Sequence, residues 1–369
     1  MIALLKEASD RLLGRGEAAI TVPPMDGPLK PNHIIDNAEV VAELDDGNDL
    51  ASDGETLWIA EGRHLLRLEP GGEKELVSAF PEVLTALARL PAGGIAAAIA
   101  GKEVVVIGKS SWASSRRSVG GKALGCVTAL SACRDGGMLA TDSSADTGPN
   151  EYARDLLSHG KSGRICRLTP DGNGDRELVA GLRYPFGAYE VANELWFSES
   201  WNHRVAKIER NGAMPHISSV IDRLPAYPSR MSPAAGGGMW LTCFTARRRL
   251  VEFVLREDRY RRMMMQEVDP RFWVAPMLSS GQSFLEPLQG GNVKTLGISK
   301  PWAPPRSYGL VVRLRPDGLP KYSLHSRADG HHHGIVSAVE ANGYLYLLSK
   351  GAGLLLRVDL AGLTERDTA

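Results

Sequence analysis

Cysteine is scarce. The 369 residues hold four, Cys126, Cys133, Cys166 and Cys243, and none forms a CxxC pair or a zinc-like spacing. They read as small buried hydrophobes. Aromatic residues make up only 6%. A net excess of either charge is missing, because 43 Lys+Arg balance 43 Asp+Glu. A protein that works by neutralising phosphates carries a basic excess, so no nucleic-acid partner is expected. No apolar run approaches the roughly 20 residues needed to span a bilayer. The opening segment MIALLKEASDRLLGRGEAAI is interrupted at Lys6, Glu7 and Asp10, unlike a secretory signal. Its Leu4, Leu5, Leu12 and Leu13 instead predict one face of a short helix within an N-terminal extension, residues 1–24. A soluble, cytoplasmic chain is the expectation.

Hydrophobic residues at 43% suffice for a large core, and the 40 glycines are arranged in a pattern. A turn of the Asp-Gly, Asn-Glu or Gly-Gly kind precedes four or five apolar residues in SDGETLWIAEG, AGGIAAAIAG, RDGGMLATDSS, ANELWFSES, GGGMWLTC and ANGYLYLLSKG. The first apolar positions are Leu57, Ile95, Met138, Leu195, Met239 and Leu345. A second pattern runs out of phase with it: an apolar strand carrying Arg or Lys, as in HLLRLEPGG, GRICRLTPDG, HRVAKIERNG, GLVVRLRPDG and GLLLRVDL. Turn dipeptides bounding alternating apolar residues signal hairpins. Two hairpin-like units per repeat of about 40–55 residues predict four-stranded propeller blades. The fold class is therefore all-β, a six-bladed β-propeller over 25–369.

The long interval before the last marker predicts an insertion, about 245–305, between blades 5 and 6. Residues 245–276 mix Leu250, Val251, Phe253, Val254 and Leu255 with many arginines and read as a helix or two laid over one propeller face. Such a basic amphipathic segment is a candidate for peripheral protein or membrane contact. Residues 279–305 are punctuated by Gly and Pro and read as a long loop.

Several stretches resemble strictosidine synthase-like proteins, the adipocyte plasma membrane-associated protein group in particular. They are TDSSADTGPNEYARDLLSHGKSGRICRLTPDG (141–172), GLRYPFGAYEVANELWFSESWNHRVAKIERNG (181–212) and LPAYPSRMSPAAGGGMWLT (224–242). Residues 307–326 and 335–349 are similar to the family's sixth blade. The wider superfamily includes gluconolactonases and paraoxonases and implies a six-bladed propeller. The resemblance also implies a divalent-cation site on the propeller axis, usually for calcium, and hard cations require oxygen ligands. The matching positions here are Asn48 beside Asp49, then Thr128, Phe186 and Ser229, followed by Arg230. Three of the four have lost the usual ligand, and a guanidinium enters the region. No axial calcium and no cofactor are expected. The glutamate that strictosidine synthase uses matches Val336, so that mechanism is not implied either.

What chemistry remains is local. GHHHG (330–334) precedes the inner strand of the last blade, and alternation lets His331 and His333 share a face, for proton transfer or a transition metal. A polar loop tip is the plainer reading. Asp49 is a further catalytic candidate. Arg230 would hold a carboxylate or phosphate. Asn48, Thr128, Phe186, Tyr184 and Ser229 would complete a substrate pocket. Asp142 and Glu199 end strands, and Glu199 is expected to pair with Arg204 or to cap a turn. The resulting expectation is a metal-independent small-molecule enzyme of hydrolase, lyase or condensing type. The alternative is a non-catalytic binding propeller that has lost its calcium site.

Overall fold

The six turn-plus-apolar segments each form the second strand of a sheet. These strands are Leu57–Glu61, Ile95–Ile99, Met138–Asp142, Glu194–Glu199, Met239–Ala246 and Tyr344–Ser349. The out-of-phase segments form third strands, among them His64–Leu68, Gly163–Leu168 and Arg204–Glu209. Each second strand is covered on both faces by neighbouring sheets, which is why it reads as a continuous apolar run. Ile95–Ile99 and Met138–Asp142, for example, are buried at every position. The computed structural model describes residues 21–69, 71–108, 112, 115–209, 216–283, 285–287, 293–295, 298–300 and 306–363. The short helix expected near the N-terminus lies outside the described residues, apart from 21–24, which are not helical.

Six inner strands surround the axis: Gly47–Ser52, Leu84–Arg89, Val127–Ala132, Pro185–Val191, Ala226–Pro233 and Ile335–Ala341. Each touches the next around the ring. Small hydroxyl side chains join them across five of the six junctions. Thr85 donates to Val127 O (2.7 Å), Ser131 to Ala188 O (2.7 Å) and Ser198 to Ser229 O (2.6 Å). Ser232 donates to Ala338 O (2.6 Å), and Ser52 to Glu340 O (2.8 Å). At the sixth junction a carboxylate does the work, with Leu87 N donating to Asp49 Oδ2 at 2.9 Å. Buried polar groups are thereby satisfied between sheets whose other contacts are apolar.

The chain start closes the ring. Glu39–Glu43 is the outermost strand of blade 6, paired antiparallel with Leu354–Asp359. Blade 2 has three strands among the described residues, and an isolated bridge from Val104 to Arg116 continues its edge.

The helical insertion is present, but it leaves the ring within blade 5 rather than between blades 5 and 6. Met239–Ala246 pairs directly with Gly309–Leu314, which pairs with Pro320–Ser326. Residues 307–326 therefore complete blade 5 instead of opening blade 6. The physical reason is that both central strands are buried throughout and must be each other's ladder partners. The insertion carries two helices, α2 (Arg249–Arg256) and α3 (Asp258–Glu267), following α1 (Tyr152–Leu157) from blade 3. Val251, Val254 and Met264 pack beside Trp201, Tyr227 and Phe244, so the helices cap one end of the axis. Arg261 ties α3 to α1 by donating to Leu157 O (2.6 Å). Within the stretch read as a loop, Val293–Thr295 and Ile298–Lys300 pair as a short hairpin. Among the described residues no helix is long and apolar enough to cross a membrane. All four cysteines are free and buried.

Gly187 shows how closely the inner strands approach. A Cβ there would lie 2.9 Å from Arg230 Cα and 3.2 Å from both Met231 N and Ser229 O, all backbone atoms. Gly187→Ala is expected to destabilise the fold by about 1–3 kcal/mol, through strand displacement rather than local repacking. Urea denaturation checks this, and an unchanged midpoint would contradict the close approach.

Candidate active site at the propeller axis

Every inner strand slips register against its second strand near the same end. The pairing shifts between Gly47 and Asp49, Leu84 and Ala86, Val127 and Ala129, Pro185 and Ala188, Pro228 and Met231, and Ile335 and Ser337. A bulge leaves its extra residue outside the ladder and bends the strand. The residues released are Asn48, Thr85, Thr128, Phe186 with Gly187, Ser229 with Arg230, and Val336. One irregularity repeated six times thus turns a ring of side chains and carbonyls towards the axis.

Arg230 uses those carbonyls. Its Nη1 donates to Val336 O (3.0 Å), and its Nη2 donates to Thr85 O (2.8 Å) and Thr128 O (2.5 Å). Its Nε lies 3.2 Å from Asp49 Oδ1 as an ion pair, without the alignment of a hydrogen bond. The guanidinium carbon sits 5.2 Å from the centre of the Phe186 ring. Arg230 therefore links its own blade 5 to all five others. Asp49 accepts from Leu50 N (2.9 Å) as well as Leu87 N and is only 2% exposed. Burial raises the Asp49 carboxyl above its ordinary value, and Arg230 is the largest influence opposing it. Burial likewise lowers the Arg230 guanidinium, opposed chiefly by Asp49.

Above this centre lies a cavity of about 50 Å³. Its floor is Asn48, Thr85, Thr128, Phe186, Arg230 and Val336. Its roof is Pro149, Asn150, Tyr152, Phe244 and Leu278, drawn from the α1 loop, blade 5 and the insertion. Burial pushes the Tyr152 phenol up to about 12, so it stays protonated at neutral pH. The remaining wall is Lys350, one residue past the second strand of blade 6. Its Nζ donates to Asn48 Oδ1 and to Asp46 Oδ1 (3.3 Å). Burial, the largest cause, holds the Lys350 ammonium below its ordinary value, and Arg230 pushes the same way.

Of the residues proposed from sequence, Asn48, Thr128, Phe186 and Arg230 line the cavity. Asp49 lies beneath them, committed to Arg230 and two amides. Tyr184 is fully buried and stacks on Trp201 at 4.6 Å. Ser229 is also fully buried and bonded to Thr242 Oγ1 (2.7 Å). His331 is exposed. His333 is buried outside the cavity lining, with Nδ1 on Ser307 Oγ (2.7 Å) and Nε2 on Arg327 O (2.6 Å). The triplet thus fixes a loop, and His331 and His333 are not brought together with the axial residues. Glu199 pairs with Arg204 at 2.7 Å, and Asp142 holds Arg164 at 3.0 Å. Lys350 escapes the sequence reading. Three other second strands end in acids, Glu61, Asp142 and Glu199; the register places Ser349 at that position in the sixth, and Lys350 follows it.

No known family profile matches the chain. Its sequence is similar to the adipocyte plasma membrane-associated proteins of Mus musculus (24% identity, covering 68% of this chain and 55% of the relative) and Danio rerio (24%, 68% and 56%). The chain thus spans a little over half the length of the curated relatives it matches. Among solved structures it is similar to a gluconolactonase from Xanthomonas campestris (TM-score 0.56, 14% identity, 91% of this chain and 96% of that one). It is also similar to the calcium-binding protein regucalcin from Agrobacterium tumefaciens (TM-score 0.51, 12% identity, 87% and 92%). These likenesses agree on the fold class, a six-bladed β-propeller.

Removing the axial cation tests how the centre is held. Arg230→Met strands the buried Asp49 carboxylate and frees three carbonyls, an expected loss of about 3–5 kcal/mol by urea denaturation at neutral pH. In that variant Asp49 loses its counter-charge, so its folded-state value rises further above the unfolded one. Folding then takes up a proton, and the deficit shrinks as the pH falls towards about 5. Adding Asp49→Asn is expected to recover part of the loss; an equal deficit with and without it would exclude the pair.

Proposed function

We propose that the chain is a metal-independent small-molecule enzyme acting from the axial cavity. The observation that carries this reading is the Arg230 guanidinium, a fixed positive charge set among oxygens of four other blades, in the place where the family resemblance implies an axial cation. A divalent cation fits these residues poorly. The one carboxylate at the axis is committed to Arg230 and two amides, and the cation would face a charge of its own sign. Among the described residues no group of three His, Cys, Asp or Glu could hold a metal.

The chemistry open to the cavity follows from what lines it. The Arg230 guanidinium, paired with Asp49, and the Lys350 nitrogen line it with hydrogen-bond donors, which favours anionic or polarised carbonyl groups. Phe186, Phe244 and Tyr152 provide an apolar wall for the rest of the ligand. Lactones, esters and amine–aldehyde pairs are the substrate classes this reading names, consistent with hydrolase, lyase or condensing chemistry. Turnover of such a panel is expected to be the same with and without chelator, within about twofold. Activity that disappears with chelator and returns with calcium would overturn the reading.

A non-catalytic binding role is the alternative, favoured by the placement of His331 and His333 outside the cavity. It is distinguished by a thermal-shift screen in which a ligand stabilises the protein and is recovered chemically unchanged.

A further inference from the structure

We propose that Lys350 is a nucleophilic amine that forms an imine with a small aldehyde or ketone in the axial cavity. The inference rests on the small-molecule reading above and selects its lyase or condensing branch. Three features of the geometry lead to it. Among the described residues Lys350 is the one amine lining the cavity, which it shares with the Phe186, Phe244 and Tyr152 rings and with Arg230. Desolvation and a neighbouring cation are the two circumstances that activate a lysine towards carbonyls. Its Nζ also has two oriented acceptors, Asn48 Oδ1 and Asp46 Oδ1. A neutral amine donating its two hydrogens to them keeps its last tetrahedral direction for the lone pair. The acceptors therefore anchor the nitrogen without consuming its nucleophilicity. Finally, burial, the largest influence, and the Arg230 charge disfavour the ammonium form; the Asp46 carboxylate paired with it at 3.3 Å favours that form, and the net direction is downward.

The step balances without an oxidant, reductant or metal. The Nζ lone pair forms the C–N bond, the carbonyl π pair moves to oxygen, and the nitrogen's proton passes to that oxygen. The carbinolamine then loses its hydroxyl with a second proton as water, leaving C=N. The imine withdraws electrons from the adjacent carbon, so a C–H or C–C bond there breaks or forms. Hydrolysis returns the amine. A Lys350 confined to linking blade 6 with blade 1 through Asp46 and Asn48 would do none of this.

The test uses the full chain, with acetaldehyde, glyoxylate, pyruvate and benzaldehyde as probes and cyanoborohydride to reduce any imine to a stable amine. Peptide mass spectrometry reads the labelled lysines. Lys350 is expected to label about tenfold faster than exposed Lys102, to saturate with probe, and to do so with a pH midpoint below the roughly 10.4 of a free lysine side chain. Lys350→Arg keeps hydrogen-bond donors towards Asn48 and Asp46 and cannot form the imine, so a protein shown by its melting curve to be folded should lose both adduct and carbonyl turnover. Labelling of Lys350 no faster than Lys102, or full turnover in Lys350→Arg, overturns the inference. If the wild type turns over lactones or esters without a Lys350 adduct, the imine fails while the enzyme reading stands. A saturable Lys350 adduct with no turnover of any panel member supports the amine site and overturns the enzyme reading.

Discussion

A single guanidinium holds the axis together. Six bulges at one end of the inner strands release backbone carbonyls from their ladders, and a carbonyl left bare in a low-dielectric interior is costly. Arg230 collects three of them, pairs with the one axial carboxylate and rests against Phe186. The rest of the end depends on this arrangement. Asp49 keeps its place because it is paired, and through Leu87 N it positions blade 2. Asn48 projects upward because Asp49, next in the chain, is held below. The cavity floor is therefore set by the requirement that orphaned carbonyls find donors, before any ligand is considered.

The roof has a different origin. Its residues come from α1, from the second strand of blade 5 and from the segment after α3, all joined by one aromatic cluster around Trp201, Tyr227 and Phe244. Trp201 Nε1 donates to Asp155 Oδ1 at 2.7 Å, fastening α1 to blade 4. Floor and roof thus draw on distant parts of the sequence. A side chain such as Tyr152 reaches the cavity only because α1 is tied down at both Asp155 and Arg261.

That division explains what the sequence made legible. Second strands stand out because burial on both faces imposes continuous apolar runs, so Leu57, Ile95, Met138, Leu195, Met239 and Leu345 each mark a blade. Turn glycines mark the joins between strands. The location of the insertion is not legible, because a break inside blade 5 and a break after it leave the same gap between Met239 and Leu345. The floor is partly legible. Asn48, Thr128 and Phe186 stand at positions where the family resemblance implies cation ligands, and Arg230 follows the fourth, Ser229, but the carbonyls of Thr85, Thr128 and Val336 leave no side-chain signature. His331 and His333 attract notice as a rare triplet, yet His333 spends both ring nitrogens on Ser307 and Arg327. Lys350 is inconspicuous for the opposite reason, a lone lysine one residue beyond a strand.

Closure by the first strand also has a meaning for the nascent chain. Glu39 and its partner Arg357 stand 318 residues apart, so Glu39–Glu43 emerges long before the edge it completes exists. During that interval it is an unpaired strand, open to pairing with other chains. Its sequence, EVVAE, places an acid at each end of a short apolar centre, an arrangement that discourages such encounters while the remaining blades are made. Once synthesis ends, the same Glu39 receives two hydrogen bonds from Arg357 (2.7 and 2.8 Å). The charge that kept the strand solitary on the ribosome becomes the latch of the finished ring.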